Sequence, residues 1–198
     1  MFSIFRVPLL VGIALAIAFG GGIAMTRYAI RHSSGFGAIN LGPWQAFPKA
    51  QTEDADPYAR NHRARAGRLL LGSAEGLVLY ASSDSDGGGL SGACTYVLTG
   101  KMPIARFWTL TATTSENVPL TGSPGLPSAL NSQQVLYGND GTVTIRVSAD
   151  AQPGNWLSVP PGQGYHLAFT LFDTPVAGSS GVIDQSMPSI KREGCGHA

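Results

Sequence analysis

The chain has 198 residues, a net charge of +1 and 13% charged side chains, about half the usual share of roughly 25%. That balance excludes the long-range field on which nucleic-acid binding depends, and it points to no acidic partner. With 26 Gly and 13 Pro the chain suits many short strands better than a helical bundle, and its length holds one domain able to bury its own core.

The first element is apolar. Residues 7–26, VPLLVGIALAIAFGGGIAMT, run without a charge between Arg6 and Arg27. As a helix, at about 1.5 Å per residue, they span about 30 Å, the hydrocarbon thickness of a bilayer. Pro8 falls in the first turn, where a missing N–H costs little. The pattern predicts one transmembrane helix behind a short tail at 1–6. The rival reading is a cleaved signal peptide, with small residues at Gly22-Ile23-Ala24. Gly12, Ala16, Gly20 and Ala24 make a small-residue stripe, which can let helices approach in lipid or simply reflect the composition of membrane helices. A short tail before the helix and a long chain after it predict N-terminus in and domain out.

Residues 27–52 read as a linker, with Gly, Ser and Pro scattered without a period and with Trp44 and Phe47 anchoring it to the domain or the membrane interface. Asp56 is a good N-cap and Pro57 a good first helical residue, so a helix is expected over 56–70. Acidic Glu53, Asp54 and Asp56 precede it and arginines follow, as the macrodipole favours. At 100° per residue, Tyr58, Ala59, His62, Ala66, Leu69 and Leu70 share an apolar sector, while Arg60, Asn61, Arg63, Arg65 and Arg68 fill the remainder. His62 on that apolar side reads as a packed, hydrogen-bonded residue. The arginines read as a solvated face, since no aromatic residues interleave with them as in a single-strand binder.

Beyond Gly72 the period becomes two. GLVLYAS, CTYVLTG and RFWTLTATT read as strands, the last with Trp108, Leu110 and Ala112 on one face. GNDGTVTIRVSAD is a hairpin signal followed by a strand with Val143, Ile145 and Val147 inward. In YHLAFTLFDTP, Tyr165, Leu167, Phe169 and Leu171 share a face and His166 lies opposite. Asp84 and Asp86 resemble the start of a calcium loop, but Thr95 stands where glutamate would close it, so 84–89 reads as a turn. Short strands with glycine turns predict a β-sandwich or jelly roll.

Cys94 and Cys195 are the only cysteines. An even pair in an exported domain reads as a disulfide, and closing a loop of about a hundred residues is worth on the order of 4–5 kcal/mol in the chain-entropy model. Two separate buried thiols are the alternative. There is no CxxC, and His197 beside Cys195 is too little for a metal site. No G-x-S-x-G, H-E-x-x-H or P-loop is present, and His32, His62, His166 and His197 do not cluster. The sequence therefore names no catalytic residue, metal or cofactor. That weighs against an enzyme without deciding the matter, because triads assemble from distant parts of a chain.

RFWTL, NDGTVTIRV, NWLSVPPGQGYHLAFTLFDTP and MPSIKREGC, in that order, resemble the bacterial domain-of-unknown-function family 1214 over roughly residues 40–198. Ser158 stands where that family usually has Pro. The resemblance implies an antiparallel jelly-roll-like β-sandwich and no particular activity. Arg106, Trp108, Asn155 and Trp156 match the family's motifs, as a ligand site or as core packing and turn fixing. In longer relatives the domain follows a second one, of family 1254. This implies a possible separately encoded partner carrying that domain, met by a face at Arg60, Arg63 and Arg68. The expectation is a single-pass inner-membrane protein with a mainly β periplasmic domain at 53–198 after the amphipathic helix and the transmembrane helix. It would be a non-catalytic envelope protein binding a protein or glycan; the alternative is a periplasmic enzyme with its site in the sandwich mouth.

Overall fold

A computed structural model of the chain describes residues 6–32, 38–51, 55–66, 75–122, 124–175 and 187–196. The chain forms two compact units; among the described residues one holds two α-helices and the other the strands.

In the helical unit, α1 runs Arg6–His32. Its Arg6–Ala29 stretch is apolar and long enough to cross a membrane, and none of it is buried in the protein. The helix continues past residue 26 because Arg27, Ala29 and Arg31 are good helix formers, and a charge ends an apolar run without ending a helix. The second helix, α2, spans Pro57–Ala66. Asp56 caps it: its Oδ1 accepts from Ala59 N at 3.1 Å and its carbonyl from Arg60 N at 3.0 Å. Ala59 is buried, as its sector predicts. The side chains of Tyr58, His62 and Ala66, and all of Leu69 and Leu70, lie outside the described residues.

Among the described residues the strand unit has ten strands: β1 (Ile39–Leu41), β2 (Trp44–Ala46), β3 (Gly76–Ala81), β4 (Cys94–Lys101), β5 (Phe107–Thr113), β6 (Ala129–Asn131), β7 (Thr142–Ser148), β8 (Asn155–Ser158), β9 (His166–Phe172) and β10 (Ser189–Cys195). They form a six-stranded sheet, β1-β2-β3-β9-β5-β6, and a four-stranded sheet, β10-β4-β7-β8. The protein is mainly β, and the two sheets are compatible with a jelly roll. The alternating strands behave as their period requires: Trp108, Leu110 and Ala112 on β5, Val143, Ile145 and Val147 on β7, and Leu167, Phe169 and Leu171 on β9 are all buried. With Leu79, Leu98, Leu157 and Ile190 they make one core between the sheets.

Three features depart from the sequence pattern. Residues 39–46 form a hairpin on the edge of the larger sheet. Trp44 enters the core there, edge-on to Phe169 at 5.7 Å, with its Nε1 donating to Pro188 O at 2.7 Å. The segment NWLS, which reads as a turn, is a strand, and it pairs with β7 in parallel. Ile145 faces Asn155, so β8 steps back only a few positions and the short return at 149–154 suffices. Arg146 Nη1 donates to Pro153 O in that return, at 3.3 Å.

Candidate functional site

Alternation that sends Leu167 and Phe169 into the core turns His166 to the outer face of the six-stranded sheet. There, at one end of the sandwich, two hollows share His166 and Ser82. One, of about 350 Å³, is lined also by Leu90, Thr114, Ser115 and Gln163. The other, of about 280 Å³, is lined also by Asn40, Gln45, Tyr80 and Ser83. Hydroxyls, amides and Tyr80 therefore face His166, and among the described residues no Asp, Glu, Lys or Arg lines either hollow.

His166 is half-buried, and the loss of solvent pushes its pKa below the ordinary 6.5. At neutral pH the ring is uncharged, with one N–H donor and one acceptor nitrogen. No described residue hydrogen-bonds to either nitrogen. Directly opposite His166 on β5 stands Thr113, 3% exposed, whose Oγ1 has no partner among the described residues. Directly opposed side chains in a sheet lie about 5 Å apart at Cβ, so the Thr113 hydroxyl lies beside the imidazole. Ser158 Oγ, Asn61 Nδ2 and the Tyr165 hydroxyl are likewise buried without a partner. Tyr165 packs edge-on against Tyr96, and its burial raises its pKa.

The motif residues lie apart from the hollows. Arg106 is on the surface, 3.7 Å from Asp173, another exposed side chain. Trp108 is in the core, stacked on Phe169 at 5.1 Å. Asn155 ties a neighbouring loop to the sheet: its Nδ2 donates to Leu136 O at 2.9 Å and Thr144 O at 3.0 Å, and its Oδ1 accepts from Leu136 N at 2.7 Å. Trp156 Nε1 donates to Ser148 O at 3.0 Å. Trp108 thus packs in the core and Asn155 pins the loop at Leu136, while Arg106 pairs at the surface. On α2, exposed Arg60 sends its Nε to Ala55 O at 2.8 Å; the side chain of Arg63 and all of Arg68 lie outside the described residues.

Cys94 and Cys195 are joined in a disulfide between directly opposed residues of β4 and β10. Among the described residues no group of His, Cys, Asp and Glu is arranged to hold a metal ion.

The family described as "Protein of unknown function (DUF1214)" matches residues 75–176, which include the seven strands β3 to β9 in full, the lining of the larger hollow, and Tyr80, Ser82, Ser83 and His166 of the smaller one. The fold is similar to that of the VPA0106 protein from Vibrio parahaemolyticus, at 20% identity and TM-score 0.60, over 89% of this chain and 43% of that one. An uncharacterized protein from Burkholderia cenocepacia is similar at 18% identity and TM-score 0.43, over 90% of this chain and 51% of its own. The chain thus spans about half the length, or less, of these solved structures. No curated protein matches it.

Proposed function

Because this chain belongs to the DUF1214 family, which has no activity attached to it, we propose its function from its own surface: a membrane-anchored binding module of the bacterial envelope whose hollows at His166 take a neutral glycan. The lining of these hollows carries the reading. A sugar offers closely spaced hydroxyls, each both donor and acceptor, and apolar ring faces. Serine, threonine and amide side chains can answer either role, neutral His166 supplies one of each, and Tyr80 supplies a ring. Without charged lining residues, no ion need be desolvated to seat an uncharged ligand.

The periplasmic placement rests on α1 and on the Cys94–Cys195 bond, since disulfides persist in oxidising compartments. Binding is favoured over catalysis at this site because glycoside cleavage usually needs two carboxylates, and the described lining of the hollows holds a histidine and no carboxylate.

The test is calorimetric titration of the full chain in detergent micelles with chitotriose and cellotriose. Saturable binding of at least one is expected, weakened about tenfold by Tyr80→Ala, the equivalent of one or two lost contacts. No binding of either, or equal binding by the variant, would contradict the reading.

A further inference from the structure

One wall of the larger hollow is formed by the segment that follows Ser82, which contributes Gly89 and Leu90. Both ends of this segment are attached to β10. At the first end, Asp84 gathers the turn. Its Oδ1 accepts from Asp86 N at 3.2 Å and Gly88 N at 2.7 Å, while its Oδ2 accepts from Arg192 Nη2 at 2.9 Å. Asp84 is almost wholly buried, whereas Arg192 reaches it from the surface strand. Ser85 and Ile190 exchange two bonds: Ser85 N donates to Ile190 O at 2.8 Å, and Ile190 N to Ser85 Oγ at 2.9 Å.

The same guanidinium lies 5.8 Å from the centre of the Tyr96 ring. The Tyr96 hydroxyl donates to Gly89 O and accepts from Ser91 N, both at 3.1 Å. At the second end stands the Cys94–Cys195 disulfide, and Gly196 N donates to Ala93 O at 2.9 Å. Between the ends, the segment meets the opposite wall: Gly92 N donates to Gln163 O at 2.8 Å, and Tyr165 N to Leu90 O at 3.2 Å.

The glycines of DSDGGG follow from this arrangement. Gly87 has φ +87°, a conformation that side chains disfavour, and a Cβ at Gly88 would run into the Arg192 guanidinium.

We propose that β10 is a clasp for the binding hollow, in which Arg192 and the Cys94–Cys195 bond are positioning groups that hold the 84–94 wall against Gln163 and Tyr165. The functional importance of that wall rests on the binding reading; the clasp itself does not. The experiment therefore reads the wall and needs no ligand. Amide hydrogen exchange is followed in the full chain in detergent micelles, as wild type, Arg192→Gln and Cys94→Ser/Cys195→Ser.

In both variants Gly92 and Tyr165 amides, neither bonded to β10, should exchange at least about tenfold faster, while Leu110 and Phe169 amides in the core keep their protection. Faster exchange confined to 189–196 would make β10 a mere edge strand and overturn the proposal. An equal rise at Leu110 and Phe169 would assign these groups to global stability and overturn it as well. Absence of chitotriose binding with the expected exchange pattern would remove the glycan and leave the clasp.

Discussion

His166 carries the candidate site, and it does so because a strand alternates. Its neighbours Tyr165 and Leu167 are drawn into the core, so the imidazole is turned outward, beside the buried Thr113 hydroxyl, which has no partner among the described residues. Among the described residues its titratable lining neighbours are Tyr80 and Tyr165, with no carboxylate, lysine or arginine. Its lowered pKa thus comes from burial, not from a charged partner. The folded state takes up a proton at lower pH than the unfolded state, whose value is near 6.5. Below that value the unfolded chain binds more protons, so this residue's contribution falls as pH falls through the folded pKa. Melting temperature measured from pH 7.5 to 5 should therefore drop more steeply in the wild type than in His166→Gln. Parallel curves would contradict the assignment of a buried, neutral ring.

At the scale of elements, strands with a clean period of two were legible: β5, β7 and β9 bury the residues their alternation marks. So were the cap at Asp56 and the turn at 84–89, because Asp and Gly act there through local hydrogen bonds and local φ. What was not legible was set by distant partners. The β1–β2 hairpin is too short for a period, and its place is fixed by Trp44 meeting Phe169 and Pro188. NWLS reads as a turn until Asn155 and Trp156 are seen bonded along β7. The outward histidine was visible in sequence, but its companions come from four separated stretches and converge only in the fold. The hairpin also makes a measurable claim. Trp44→Ala removes a buried indole and should cost about 3–5 kcal/mol in denaturant unfolding, whereas Trp44→Phe, keeping a ring, should cost about half as much. A loss below about 0.5 kcal/mol for Trp44→Ala, the size of an ordinary surface change, would show that the hairpin is not part of the core.

For the whole molecule, an apolar helix long enough to span a bilayer and a disulfide-bonded two-sheet unit are carried on one chain. Their combination suits display of a binding surface in an oxidising compartment. Low overall charge and an uncharged hollow agree with a neutral ligand, which electrostatic steering would not help. The Asp84–Arg192 pair and the Cys94–Cys195 bond place the C-terminal strand next to that hollow, so stability and site share one edge of the sandwich. The central claim is that the His166 hollows bind a saccharide. It is tested most directly by backbone amide NMR of the isotope-labelled full chain in micelles, titrated with chitotriose and cellotriose. Shifts concentrated at Tyr80, Ser82, Thr114, Gln163 and His166, with saturation, are the predicted result. Saturable shifts centred instead on Arg106, Asn155 and Trp156, or no shifts with either sugar, would contradict it.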